Sequence, residues 1–214
     1  GRLIHRATYI FVFARDGRLF LQKRTNEKDM YPGYWDAAAG GVGLVFGQWA
    51  ASIGATAIGT VGSEAKAEIA RAHGYQHVIN YSKENVLERV MDITGGEKVP
   101  VVYDGVGRDT FEMSLDCLRP RGLMVSFGNA SGSPEPLDLQ VLANKGSLFI
   151  TRPTLMTYSA STQELRQSCK DLFSRVLGGD IRIEINQRYP LADVQQAHRD
   201  LEARKTTGST VLLP

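Results

Sequence analysis

The run Asp36-Ala37-Ala38-Ala39-Gly40-Gly41-Val42-Gly43 constrains the fold of this chain more than any other stretch. It ends in glycines, and its spacing predicts a helix over 42–53 followed by a strand over 56–60. A glycine-rich turn ahead of a helix lets a pyrophosphate approach the backbone, and the unpaired N–H groups of the helix's first turn then point at the anion. The spacing is not the strict Gly-x-Gly-x-x-Gly, so the glycines alone fit a tight turn or a helix packing site equally well. Their place at the head of a strand and helix series favours the dinucleotide reading.

Beyond Gly43 the chain alternates. Helices are predicted over 64–73, 83–93 and 109–118, and strands over 77–80, 99–103 and 123–127. Strands that read as continuous apolar runs between helices imply a parallel sheet covered on both faces. A strand through Thr151, an amphipathic helix over 162–177, a short strand pair around 181–189, a helix over 192–204 and a closing strand over 210–213 complete the pattern. The loop over 131–136, rich in Ser, Gly and Pro, is the clearest irregular segment. Ahead of the glycines, residues 8–24 read as a β-hairpin turning at Arg15-Asp16-Gly17, with Tyr9, Phe11 and Phe13 on one face. The expected division is a hairpin segment over 1–36 and a nucleotide-binding domain over 37–214.

Bulk properties exclude more than they assign. The 214 residues include 43% hydrophobic ones, enough for a buried core, and a net charge of +2 gives no electrostatic case for nucleic acid or an anionic membrane surface. No apolar stretch is long enough to span a bilayer as a helix, and no signal peptide is evident, so a cytoplasmic setting is expected. Cys117 and Cys169 read as free thiols. His5, His73, His77 and His198 form no paired-ligand spacing, so no metal is expected.

The carboxyl ends of parallel strands face the ligand crevice in a fold of this kind. NAD sites usually place a carboxylate at the end of the second strand for the ribose hydroxyls. Here that end reads Gly62, Ser63, with Lys66 following, and a lysine suits a 2′-phosphate that a carboxylate would repel. The competing reading of Lys66 is a solvated residue of a helix's first turn. NADP is expected over NAD. Tyr81, the segment from Tyr103 to Gly107, and Phe127, Gly128 and Asn129 lie at the later strand ends and are expected to line the same rim.

Residues 38–214 also resemble the zinc-free quinone oxidoreductases, the zeta-crystallin-like branch of the medium-chain dehydrogenase/reductase family. The resemblance is carried by Ala38-Ala39-Gly40-Gly41-Val42-Gly43, Gln48-Trp49-Ala50, Val78-Ile79-Asn80-Tyr81, Val101-Val102-Tyr103-Asp104, Arg121-Gly122-Leu123-Met124-Val125-Ser126-Phe127-Gly128-Asn129, Thr151-Arg152-Pro153 and Thr207-Gly208-Ser209. It implies an α/β, Rossmann-type doubly wound parallel sheet behind the N-terminal hairpin, and hydride transfer from NADPH to a small-molecule quinone. It implies that Gly41, Val42 and Gly43 approach the pyrophosphate, and that Ser63, Lys66 and Tyr81 meet the 2′-phosphate. Phe127, Gly128 and Asn129 would sit by the nicotinamide, with Pro153, Leu155 and Arg204 as further cofactor contacts. It implies no metal, names no catalytic residue, and implies a homodimer through an edge strand at 147–151.

Two departures accompany it. That family carries a GroES-like domain ahead of the nucleotide fold, and no such domain is expected in this chain. The first parallel strand is replaced by Tyr34-Trp35-Asp36-Ala37, in which Asp36 suits a buried pleat poorly. Residues 1–41 instead resemble the opening of a Nudix hydrolase of the isopentenyl-diphosphate-isomerase-like type, through His5-Arg6-Ala7, Leu21-Gln22-Lys23-Arg24, Lys28 and Tyr31-Pro32-Gly33-Tyr34-Trp35-Asp36. The Arg-Glu-x-x-Glu-Glu core that holds a divalent metal in that family is not in the chain, so no hydrolase activity is assigned. The alternative to an oxidoreductase is a chimeric nucleotide-binding module that holds NADPH without turnover. The hairpin is expected to pack beside the last helix and strand.

Overall fold

The glycines do open a helix. The computed structural model of the protein describes residues 12–13, 19–20, 41–202 and 209–214. Within them the helix α1 spans Gly41–Ser52, its first turn free of acidic side chains. It is followed by β3 (Ile58–Val61), α2 (Glu64–Ala72) and β4 (His77–Asn80), with β1 (Val12–Phe13) and β2 (Leu19–Phe20) before it. Pairing of β3 with β4 is parallel and in continuous register from Ile58 opposite His77 to Val61 opposite Asn80. The crossover α2 starts where Ser63 caps it by accepting the Lys66 amide, and it lays Ala67 and Ala70 on the sheet.

Next come α3 (Val86–Thr94), β5 (Val99–Asp104), α4 (Phe111–Asp116), β6 (Leu118–Ser126), α5 (Leu139–Asn144) and β7 (Phe149–Thr151). Asn85 caps α3, and Gly95 ends it at φ 62°, a left-handed conformation that glycine adopts without a Cβ clash. Strands β5, β6 and β7 form a second parallel sheet in that order. Among the described residues β3-β4 and β5-β6-β7 are the parallel groups of the alternating region, and the segment expected to provide the first parallel strand lies outside the described residues. Two helices span both groups. On α1, Ala50 packs with Ala57 and Val61 of the first sheet's side, while the Phe46 ring lies 4.8 Å from that of Tyr103 at the end of β5. On α3, Val86 and Val90 pack with Ile58 and Ile79 of the first sheet and with Val99 and Val102 of the second. Side chains such as Val61, Ile79 and Met124 are fully buried, each worth about 1.5–3 kcal/mol relative to exposure.

Val101 and Tyr103 of β5 are 37% and 49% exposed. The strand Tyr34-Trp35-Asp36-Ala37 expected at the head of the sheet lies outside the described residues, as does the Nudix-like segment apart from β1 and β2.

The chain closes with α6 (Leu155–Tyr158), α7 (Thr162–Gly178), β8 (Ile185–Pro190), a 3-10 turn (Leu191–Asp193), α8 (Val194–Glu202) and β9 (Ser209–Leu213). A capping box between Ser161 and Glu164 starts α7, and Gly179 ends it at φ 84°. The strand pair expected around 181–189 is a single strand: β8 pairs in parallel with β9, while Ile181 ahead of it is fully buried. The hairpin is present as antiparallel β1 and β2, and β2 joins β9 antiparallel at Phe20 opposite Val211. A four-stranded sheet β1-β2-β9-β8 results, so the hairpin does meet the last strand. The architecture is an α/β Rossmann-type fold with parallel sheets. No described helix is long and apolar enough to cross a membrane.

Candidate functional site

Strand β3 delivers Gly62 and Ser63 to the start of α2, and β4 delivers Asn80 and Tyr81 beside them. Two hydrogen bonds hold the ends together: the Tyr81 amide donates to Val61 O at 3.0 Å, and the Ser82 hydroxyl donates to Gly62 O at 2.9 Å. Asn80 is buried and shapes the turn, its Oδ1 accepting from the Ser82 amide. Ser63, Lys66 and Tyr81 are therefore grouped at one corner, with Lys66 exposed in the first turn of α2. The Ser63 hydroxyl already serves as the helix cap.

Asp104 organises the end of β5. Its buried carboxylate accepts from the amides of Val106 and Gly107 through Oδ1, and from the hydroxyls of Thr110 and Ser114 through Oδ2. Its backbone oxygen accepts from the amides of Phe127 and Gly128, which ties the turn after β6 to the turn after β5. Glycine is required at this meeting: a Cβ on Gly105 would stand 2.7 Å from Cζ of Phe127, and one on Gly128 would strike the Gly105 carbonyl. Phe127, Gly128 and Asn129 therefore form one lip of the rim. Arg152, just after β7, donates to Ser126 O and Gly128 O, both at 2.9 Å. Pro153 follows it, and Leu155 begins α6 with 56% of its surface exposed.

Helix α1 packs against both groups of strands, through Ala50 on one side and the Phe46 ring against Tyr103 on the other. Gly43 is buried, and its carbonyl accepts from the Tyr75 hydroxyl at 2.9 Å. Burial pushes the Tyr75 phenol well above its ordinary range, so it remains a donor. One turn on, Gly47 lets the helix touch the turn before β4, since a Cβ there would lie 2.5 Å from both His73 O and the Tyr75 ring. Val42 is 43% exposed at the open end of the helix. Sequence reasoning did not find Tyr75 or Gly47, and only the Gly43-x-x-x-Gly47 spacing hinted at the second. Arg204 lies outside the described residues.

One observation bears on fit. Asn129 Oδ1 is buried without a hydrogen-bond partner, while its Nδ2 donates to Ser133 Oγ at 3.1 Å. An orphaned acceptor at a strand end costs free energy until a donor reaches it, and an amide or hydroxyl of a bound cofactor is such a donor. Together with the α1 terminus, the residues fit a dinucleotide. Among the described residues, no group of three or more His, Cys, Asp or Glu side chains is placed to hold a metal. Cys117 is buried against Ile79, Val86 and Val90, where burial first and the Asp116 charge second push its thiol up to about 11. Cys169 is half-buried on α7.

Comparison with known proteins adds the following. A family model described as zinc-binding dehydrogenase matches residues 41–173. A quinone oxidoreductase of Pseudomonas aeruginosa is 57% identical over 178 residues, covering 83% of this chain and 55% of that protein. The crystal structure of Escherichia coli quinone oxidoreductase complexed with NADPH matches with a TM-score of 0.79 at 53% identity, over 83% of this chain and 55% of that one. A mycobacterial structure complexed with NADPH matches with a TM-score of 0.78 at 42% identity, over 87% of this chain and 60% of that one. The chain spans about half the length of the curated relatives it matches.

Proposed function

Because the chain belongs to the zinc-binding dehydrogenase family, we propose that it is the nucleotide-binding portion of an NADPH-dependent, quinone-oxidoreductase-like protein. The observation that carries this reading is the orphaned acceptor Asn129 Oδ1 beyond the end of β6, in a fold whose glycine-led helix α1 has no acidic side chain in its first turn. In this reading the amides of Gly41, Val42 and Gly43 take the pyrophosphate, which the helix dipole favours. Ser63, Lys66 and Tyr81 take the 2′-phosphate corner, where Lys66 supplies the charge. Phe127, Gly128, Asn129, Pro153 and Leu155 flank the nicotinamide, with Arg204 as a further contact. NADPH would supply a hydride. The residues here bind and orient it, keep water off one face through the Phe127 ring, and move no proton of their own.

The acceptor we propose is a small-molecule quinone or related carbonyl compound. The close identity to quinone oxidoreductases supports that class. We also propose a homodimer through β7, the outer strand of its sheet among the described residues, where Phe149 is 61% exposed. A second reading is a nucleotide-binding module that holds NADPH without turnover. The Nudix-like reading of residues 1–41 stays a proposal about ancestry, without hydrolase chemistry.

Thermal unfolding with NADPH, NADH, or Mg²⁺ plus a nucleoside diphosphate separates these readings. Stabilisation by NADPH follows from binding linkage, at about 2.7 kcal/mol when the free cofactor is 100-fold above Kd. Equal stabilisation by the metal and diphosphate would refute the reading. Quinone-dependent oxidation of NADPH then distinguishes an enzyme from a module. Replacing Lys66 with Ala is expected to weaken NADPH binding about tenfold, the order of one lost charge-assisted contact, and to leave NADH binding unchanged.

A further inference from the structure

We propose that Arg152 is a positioning residue that sets the nicotinamide side of the crevice without touching the cofactor. The inference rests on the dinucleotide reading above and goes beyond it in assigning what holds the Phe127 lip in place.

The turn after β6 is gripped from two directions. From the β5 side, Asp104 O accepts the amides of Phe127 and Gly128 at 2.8 and 3.3 Å. From the β7 side, one guanidinium nitrogen of Arg152, Nη1, donates to Ser126 O at 2.9 Å, to Gly128 O at 2.9 Å and to Ser126 Oγ at 3.2 Å. Along the turn, the Ser126 and Gly128 carbonyls taken by Arg152 flank the Phe127 and Gly128 amides taken by Asp104. Outside both grips are the Phe127 carbonyl and the Asn129 side chain with its orphaned Oδ1, while the Phe127 ring packs against Gly105. Arg152 is itself exposed, so the bonds sit where water competes and the guanidinium is not a core element. Its removal hydrates two carbonyls and leaves the sheet pairing intact, but lets the lip pivot about the Asp104 bonds.

Two features make the assignment specific. All three contacts come from a single nitrogen, so a planar fork is not what the turn uses. A lysine ammonium, with three donors of its own, can replace it in part. The second feature is distance along the fold: the adenosine corner at Ser63, Lys66 and Tyr81 is carried by β3, β4 and the start of α2, and neither strand pairs with β6 or β7.

The test measures NADPH and adenosine 2′,5′-bisphosphate, which lacks the nicotinamide half, by calorimetric titration against the wild-type chain, Arg152→Met and Arg152→Lys. Arg152→Met is expected to weaken NADPH about tenfold, to leave the bisphosphate within twofold, and to unfold within a few degrees of wild type. Arg152→Lys is expected to recover most of the NADPH affinity. Unchanged NADPH affinity in Arg152→Met, parallel loss of both ligands, or no recovery with lysine would each overturn the role. A wild-type chain that binds neither ligand instead refutes the dinucleotide reading and takes this inference with it. Hydrogen exchange in the ligand-free protein supplies a check independent of binding. The Phe127 and Gly128 amides should exchange faster in Arg152→Met, while the Val106 and Gly107 amides, held by the Asp104 carboxylate, should not.

Discussion

Gly47 and Asp104 show how single residues fix the crevice from behind. A methyl at position 47 meets a backbone carbonyl and an aromatic ring at 2.5 Å, and neither can yield without moving α1 off the turn before β4. Gly47→Ala is therefore expected to destabilise the protein by about 1–3 kcal/mol in chemical denaturation, the usual penalty of overpacking. At Asp104 the cost comes from orphaned donors. Asp104→Ala leaves two amides and two hydroxyls without their acceptor, an expected loss of at least about 3 kcal/mol in the same assay. Asp104→Asn should cost less, because the amide oxygen still serves the two backbone N–H groups and the two hydroxyls can turn to accept from the side-chain NH2. Neither role was legible in the sequence. Tyr103-Asp104-Gly105 looked like an ordinary strand end, and nothing in linear spacing places Thr110 and Ser114 under the same carboxylate. The helix that opens at Gly41 was legible because a helix start depends on its immediate neighbours.

Among the elements, agreement followed the strength of local signals. The strand His77–Asn80 lies where apolar alternation and a following polar turn place it, and α7 begins at a capping box visible as Ser-x-x-Glu. The short helices Leu155–Tyr158 and Leu139–Asn144 were not anticipated, since one or two turns carry too little periodicity to register. Strand β6 starts earlier than predicted, at Leu118. The extra residues through Pro120 are tolerated because the β5 partner shifts register between Val99 and Val101. The expected pair around 181–189 became one strand because β8 takes its partner from β9, a contact too distant for local pattern to show. Glu84, between β4 and α3, gives the element scale a pH test. A hydrogen bond from the Asn80 amide, and then the Arg89 guanidinium, hold its carboxyl below the usual glutamate range. A carboxyl lowered in the folded state stabilises above its unfolded pKa, and that stability is lost as pH falls through the folded value. Glu84→Gln should therefore lower stability near neutrality slightly and flatten the acid limb of the stability profile below about pH 4.5. An acid limb as steep as that of wild type would contradict this role.

Across the described residues, α1 and α3 pack against both β3-β4 and β5-β6-β7, and the crevice lies along strand ends drawn from both groups. The family's α/β architecture was therefore legible from the alternation of helices and apolar runs. The first parallel strand expected at 34–37 lies outside the described residues. That the corner after β3 and β4 and the corner after β5 and β6 serve one ligand is the central claim. Calorimetric titration of the 214-residue chain with NADPH and with NADH tests it most directly. NADPH is expected to bind at one site per chain and at least tenfold more tightly than NADH, with the preference abolished by Lys66→Ala. Absence of binding, or equal affinity for the two coenzymes, would contradict it.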